Sequence, residues 1–156
     1  MAATALDGSV TEEQAARSLL AFAEEAGRGL RGLNASLWRD RLQSRFQDLE
    51  AAFDWLLGHG QAGDALALAS ALADLLRTTG RVGIGRAWLD RALTAAGTDD
   101  RLQAAALYEN GLLAFWQGAD EEACSLHGRS LELARRLGDR TTIALALCGL
   151  ARVALR

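Results

Sequence analysis

Two histidines and two cysteines are the first candidates for chemistry in this chain, and their positions argue against a catalytic or metal site. His59 stands in a Gly-His-Gly turn, which predicts an exposed loop, and His127 falls at a helix position that we expect to be buried. Neither has a cysteine or a carboxylate at the spacing of a metal site. Cys124 and Cys148 lie in apolar helical stretches, so we expect small buried or half-buried thiols.

Acidic and hydroxyl side chains offer no better arrangement. The two carboxylates of an adjacent pair cannot face one substrate atom from one helix face, so we interpret such pairs as helix caps and solvated faces. Four pairs are of this kind: Glu12/Glu13, Glu24/Glu25, Asp99/Asp100 and Glu121/Glu122. Ser125 and Ser130 have no base at a useful spacing. We predict no catalytic residue, no metal site and no cofactor, and hence that the chain is not an enzyme.

Composition and charge narrow the class of protein further. The chain has 156 residues, half of them hydrophobic, and all 17 basic residues are arginine, a composition typical of GC-rich bacterial genomes. A net charge of −3 provides no basic field for nucleic acid, so we expect no direct nucleic-acid binding. No apolar run reaches the roughly 18–20 residues of a membrane span, and the N-terminus does not resemble a signal peptide. We therefore expect a cytoplasmic protein that does not bind membranes.

Helical periodicity dominates the chain, and proline is absent. About seven helices are predicted, and short loops make consecutive helices antiparallel neighbours. A capping-box pattern from Thr11 opens the first helix. The other predicted boundaries are caps at Asn34 or Ser36, at Thr98, Asp99 and Asp100, and at Asp139, with helix ends at Gly58–Gly60, Gly80, Gly118 and Gly138.

The helices repeat in pairs. Gly80 and Gly118 each end the first helix of a hairpin, 38 positions apart, and Ala73 matches Gly111 at the same offset. A small residue recurs there because two helices that cross closely leave no room for a larger one. This pattern predicts stacked helical hairpins, an architecture that binds partners rather than performing chemistry.

The hairpins resemble the tetratricopeptide repeat. Four positions of the middle unit fit that family: Leu107, Gly111, Ala123 and Ser130. Asn110 and His127 depart from it, because both stand where an apolar residue is usual. The resemblance implies a single all-α domain shaped as a short right-handed solenoid. Its expected parts are an N-terminal hairpin (9–58), a first repeat (62–97), a second repeat (99–138) and the first helix of a truncated third repeat (139–156).

A longer stretch resembles the helical region of bacterial STAND-class signalling ATPases, many of which are LuxR- or SARP-type transcriptional regulators. The similar segments run from Trp38 to Leu57 and from Gly80 to Leu93. The resemblance implies a sensor or regulatory region for signal transduction and transcription, excised from a longer protein. The alternative is a free-standing scaffold that assembles other proteins.

The repeat resemblance also implies a binding site. The first helices of such repeats line a concave groove, which would bind a protein, a peptide or a small effector. The residues assigned to it are Ser70, Asp74, Arg77, Tyr108, Leu112, Phe115, Trp116 and Arg152. Two interpretations of Phe115 and Trp116 stay open: they contact a ligand, or they pack against further repeats. Self-association through the open C-terminal repeat is a further expectation.

Overall fold

The fold is entirely helical in the computed structural model, which describes the backbone of residues 2–95 and 99–156 and the side chains from residue 11 onward. The eight helices of these residues are α1 (Ala2–Gly29), α2 (Ala35–Ser44), α3 (Phe46–Gly58), α4 (Ala62–Thr78), α5 (Val82–Thr94), α6 (Asp100–Trp116), α7 (Asp120–Leu137) and α8 (Arg140–Ala154). The predicted all-α class is confirmed, while the right-handed solenoid stays a prediction. Within the described part of the chain, no helix has the length and apolar character needed to cross a membrane.

Two predicted helix boundaries are wrong. The helix expected between Asn34 and Gly58 is divided at Arg45 into α2 and α3, and neither glycine nor proline marks this break. The first helix begins at Ala2, so Thr11 lies inside α1 and its capping-box pattern does not open the helix. The number of helices is therefore eight rather than seven in the described ranges.

Other boundaries follow the predicted capping chemistry. Asp99 accepts hydrogen bonds from the first backbone amides of α6, and Asp139 does the same for α8. Asn34 occupies the cap position of α2 without a side-chain hydrogen bond. Thr98 and the predicted repeat boundary at residue 97 lie outside the described residues. Gly60, Gly80, Gly118 and Gly138 follow their helices with positive φ angles of 65–79°, the conformation that favours glycine.

The helices pack as neighbouring antiparallel pairs. Helices α1, α4, α6 and α8 lie side by side in that order, each in contact with the next. Helix α3 packs on α1 and α4, α5 packs between α4 and α6, and α7 packs between α6 and α8. One face of the molecule is therefore built from α1, α4, α6 and α8, and this face carries the candidate site.

Helix α6 is the central element, since it contributes to both apolar cores. Ala106 and Leu113 pack into a large core formed with α1, α3, α4 and α5. Leu107 and Ala114 pack into a second core formed with α7. A helix buried on several sides cannot show a single apolar stripe, which explains why the sequence of α6 is apolar almost all round.

His127 of α7 is sealed inside the contact between α6, α7 and α8. Its side chain is 1% exposed and lies against the backbones of Gly111 and Gly149. A Cβ atom at Gly111 would lie 2.7 Å from the ring, and one at Gly149 would lie 2.6 Å from it. The two glycines are therefore required by the ring, which fills the space where the helices approach.

Asn110 also departs from the expected apolar residue for a structural reason. Its side chain is fully buried, donates a hydrogen bond to Asp90 Oδ1 at 2.6 Å and accepts one from Arg86 Nε at 3.4 Å. Arg86 continues the network by donating to Gln117 Oε1 and pairing with Glu122. The network joins α5, α6 and α7 and satisfies the buried amide.

Candidate functional site

Three adjoining cavities form a groove across the face of α1, α4, α6 and α8. The Glu109 cavity is about 280 Å³, the Trp116 cavity about 280 Å³ and the Phe115 cavity about 510 Å³. The first two share Asp74, and the last two share Arg152. We call this row of cavities the groove.

The Trp116 cavity combines an exposed aromatic ring with two arginines from flanking helices. Trp116 is 55% exposed, and the guanidinium of Arg77 lies 5.4 Å from its ring centroid. Arg77 is held in place by Asp74, whose carboxylate accepts its hydrogen bond at 2.5 Å. On the opposite wall, Arg152 of α8 lies beside Tyr108. Within the described residues, no carboxylate pairs with Arg152, so its charge is available to a ligand.

The adjacent residues Phe115 and Trp116, both predicted to line the groove, have different environments. Phe115 is half-buried because the guanidinium of Arg156 lies 4.0 Å from its ring centroid. Arg156 also donates hydrogen bonds to the Phe115 carbonyl and to Asp120. Phe115 is therefore partly covered by Arg156 while it still lines the Phe115 cavity, whereas more than half of the Trp116 side chain is exposed.

The Glu109 cavity contains a carboxylate without a hydrogen-bond donor. Burial raises the pKa of Glu109 to about 7, although the nearby positive charges of Arg31 and Arg77 oppose this rise. Ser70 faces the same cavity, and its Oγ atom is buried without a hydrogen-bond partner. Unsatisfied buried polar atoms are uncommon in folded proteins, so the unsatisfied Ser70 Oγ beside the Glu109 carboxylate indicates a place for a ligand.

The structure brings most of the predicted groove residues together. Six of them line the Trp116 cavity: Asp74, Arg77, Tyr108, Leu112, Trp116 and Arg152. Ser70 lies in the adjoining Glu109 cavity and Phe115 in the adjoining Phe115 cavity. Their assignment as binding residues stays a prediction.

The other members of the Glu109 cavity were not predicted from the sequence. Glu109 lies three and seven positions before Leu112 and Trp116, so helical spacing places it on the same face of α6. That spacing could have identified it. Arg28 of α1 and Arg31, just after its end, also line the cavity. They were not predicted because the groove was assigned only to the repeats and not to the N-terminal hairpin.

The remaining chemical groups do not form a site. His59 is exposed, as predicted, and stacks on Trp55 with a centroid distance of 4.1 Å. Burial and the nearby positive Arg152 lower the pKa of His127 to about 4, which is consistent with the predicted packed side chain. The prediction of buried or half-buried cysteines is wrong, since Cys124 of α7 and Cys148 of α8 are both exposed. Among the described residues, no three His, Cys, Asp or Glu side chains could together hold a metal ion.

A larger cleft between α1 and α3, of about 570 Å³, is a weaker candidate than the groove. Its polar groups pair with one another: Trp55 Nε1 donates to Glu12, and Arg45 lies 3.7 Å from Asp48. Alanines form much of the remaining wall. The cleft therefore leaves fewer groups for a ligand to satisfy than the groove does.

Comparison with known proteins corrects the family predicted from the sequence. A family model described as acetyl-CoA dehydrogenase C-terminal like matches residues 11–118, well over half of the chain. The predicted tetratricopeptide module from a signalling ATPase or transcriptional regulator is therefore wrong, and so are the signal-transduction and transcription roles attached to it. The predicted alternative, a tetratricopeptide scaffold, is wrong for the same reason.

The error has a physical origin. Small residues at close crossings and glycines at helix ends arise in any set of antiparallel helices, so Gly80, Gly111 and Gly118 do not distinguish a repeat from a bundle. No curated protein and no solved structure gives a significant match to the chain. On the evidence of the family model, the chain belongs to the acetyl-CoA dehydrogenase C-terminal like family.

Proposed function

We propose that this chain is a non-catalytic helical domain of an acetyl-CoA dehydrogenase-type protein, and that its groove binds an extended polypeptide segment. The description of its family names the C-terminal part of such a dehydrogenase. The observation that carries the proposal is the exposed ring of Trp116 between two groups of opposite charge that lack an ion-pair partner, Glu109 and Arg152.

The Trp116 cavity has the composition of an interaction hot spot. Tryptophan, tyrosine and arginine are the residues that most often anchor protein interfaces. Arg77 is fixed by Asp74 beside the tryptophan ring, so little side-chain entropy is lost when a partner binds there.

Charge and length favour a polypeptide over a CoA thioester. The groove carries charges of both signs, with Arg77 and Arg152 near Glu24 and Glu109, which suits the mixed charges of a polypeptide, whereas a CoA thioester brings phosphate charges of one sign. Four neighbouring helices spaced by about 8–10 Å give the groove a length of roughly 25–30 Å. An extended chain rises about 3.3 Å per residue, so about eight residues would span the groove.

The proposal assigns no reaction to this chain. Its two histidines are already used in structural contacts, His59 on Trp55 and His127 between Gly111 and Gly149. We also propose a cytoplasmic location, which two unpaired, exposed cysteines support. Self-association through α8, which leaves several leucines exposed, stays a prediction.

The proposal is tested with peptides selected from a random decapeptide library on the full chain. Calorimetric titration then compares the wild type with two variants that each lose one tryptophan. Trp116→Ala should weaken peptide binding by at least tenfold, because truncating a hot-spot tryptophan typically costs more than about 1.4 kcal/mol. Trp55→Ala, which changes the cleft between α1 and α3, should leave the affinity within about twofold.

Two results would contradict the proposal. One is a selected peptide whose affinity falls in Trp55→Ala and not in Trp116→Ala, since this would place binding in the other cleft. The other is displacement of the peptide by acetyl-CoA, with acetyl-CoA binding lost in Trp116→Ala, since the groove would then be a nucleotide site. Circular dichroism of both variants verifies that they fold.

A further inference from the structure

The Glu109 cavity presents two acceptor atoms from facing helices that nothing in the described chain satisfies. Glu109 projects from α6, is half-buried and accepts no hydrogen bond from the described residues. Ser70 projects from α4, and its Oγ atom is buried without a partner. The carboxylate can only accept hydrogen bonds, whereas the hydroxyl can accept or donate, so a group that donates to both oxygens satisfies both at once.

The charges around the cavity determine the sign of that group. Asp74, on the wall shared with the Trp116 cavity, is already paired with Arg77. Arg28 of α1 and Arg31, just after its end, are exposed at the rim, where solvent screens them, and Glu24 lies at the same rim. Glu109 is the least solvated charge of the set and has no direct partner, so a cation gains most by contacting it.

The size and shape of the cavity indicate the kind of cation. A volume of about 280 Å³ accommodates one long side chain rather than a folded element. A guanidinium group donates several hydrogen bonds in a fixed fork, which suits two acceptors on different helices better than the compact ammonium of lysine.

We propose that the Glu109 cavity binds a basic side chain, arginine ahead of lysine, of the polypeptide that occupies the groove. The inference rests on the proposed function and adds a position to it. The guanidinium contacts the Glu109 carboxylate and Ser70 Oγ, while neighbouring residues of the same segment contact Trp116 and Arg152. Because the two cavities are about one helix spacing apart, roughly 10 Å, the basic residue lies about three residues from the residue that contacts Arg152.

The test uses the decapeptides selected on the wild-type full chain and on Glu109→Gln. We expect a basic residue to be enriched at one position with the wild type and to lose that enrichment with Glu109→Gln. An individual selected peptide should bind Glu109→Gln at least tenfold more weakly. Ser70→Ala, which removes only the neutral acceptor, should weaken binding by about threefold, and it serves as the second variant if Glu109→Gln folds poorly.

The pH dependence of peptide binding provides a second measurement. Glu109 faces Arg31 from the turn after α1 and Asp74 and Arg77 from α4, and its own helix neighbour is Tyr108. Since the pKa of Glu109 is about 7, the fraction ionised rises roughly tenfold between pH 6 and pH 8. A basic peptide without histidine should therefore bind nearly tenfold more tightly at pH 8 in the wild type, and equally at both values in Glu109→Gln.

The outcomes separate this inference from the proposed function. Selected peptides that require Trp116 but carry no basic residue, or that bind Glu109→Gln and Ser70→Ala as they bind the wild type, overturn the inference alone. Failure to select any peptide that depends on Trp116 overturns the proposed function itself.

Discussion

Two desolvated titratable groups on opposite sides of α6 show how a packed contact differs from a binding cavity. His127 lies on the side of α7 and α8, where Gly111 and Gly149 enclose its ring. Glu109 lies on the side of α1 and α4, where the neighbouring space is an open cavity of about 280 Å³. Burial shifts both pKa values toward the neutral form, to about 4 for the histidine and to about 7 for the glutamate.

The difference shows that a perturbed pKa is not by itself evidence of a functional site. His127 is as strongly perturbed as Glu109, yet no ligand can reach it without separating three helices. Glu109 has both free space and a second unsatisfied atom, Ser70 Oγ, beside it. His127 Nδ1 is also buried without a hydrogen-bond partner, so open space beside the group identifies the candidate site, and neither desolvation nor an unsatisfied atom does so alone.

The largest expected effect on stability is at Gly111, on the side of α6 where the His127 ring is enclosed. Gly111→Ala places a Cβ atom 2.7 Å from the His127 ring, which Gly149 blocks from behind, so we expect a loss of about 2–3 kcal/mol in the free energy of unfolding. Gly128→Ala is the matched control, because nothing lies within 4 Å of its added Cβ. That variant should gain about 0.5–1 kcal/mol from helix propensity. Urea unfolding measures both, and equal effects of the two substitutions would show that the ring is not enclosed.

A smaller effect is expected from the charge of His127. Its folded pKa, about 4, lies below the usual 6.5, so the unfolded chain binds more protons between these values and stability falls as pH drops from 6.5 to 4. His127→Leu removes this dependence. Relative to the wild type, the variant should gain about 2 kcal/mol in unfolding free energy between pH 6.5 and pH 4.5. A difference between variant and wild type that does not change with pH would contradict the sealed environment of the ring.

Glu109 should act with the opposite sign over the same pH range. Its folded pKa, about 7, lies above the usual 4.5, so the folded chain binds more protons and stability falls as pH rises from 4.5 through 7. Glu109→Gln should therefore lose about 1–2 kcal/mol relative to the wild type when pH drops from 6.5 to 4.5. Urea unfolding at the two pH values tests this, and a change of the same sign as that of His127→Leu would refute the comparison.

The smallest effect is expected at Asn110, which lies between the two sides on α6. Asn110→Leu removes the hydrogen bonds to Asp90 and Arg86, but Arg86 keeps its contacts with Gln117 and Glu122. We expect a loss of about 1 kcal/mol in unfolding free energy. The pKa values of His127 and Glu109 should stay as in the wild type when followed by NMR, and a change in either would show that the two sides are coupled.

Local capping chemistry made part of the fold predictable from the sequence. Asp99 and Asp139 cap α6 and α8 because an aspartate before an apolar helix accepts the free amides of the first turn. The division at Arg45 was not predictable, since no local residue preference opposes a continuous helix there. The exposure of Cys148 was not predictable either, because it depends on which faces of α8 have neighbours.

The candidate site was predictable in position and only partly in content. The repeat register assigned Asp74, Arg77 and Trp116 to one concave face, and the structure brings them to one cavity. The role of Glu109 depends on the distance between α1, α4 and α6, which no local pattern contains. The family was mistaken because the small residues that suggested a repeat have the same packing cause in any close pair of helices.

An NMR pH titration of the full chain, with and without a selected basic decapeptide, tests the central claim most directly. It follows the Glu109 carboxyl and the His127 ring in the same samples. We predict that peptide binding lowers the pKa of Glu109 from about 7 to below about 6, because a bound cation stabilises the carboxylate, while the pKa of His127 stays near 4. An unchanged Glu109 pKa with peptide bound, or a shift at His127 instead, would contradict the account.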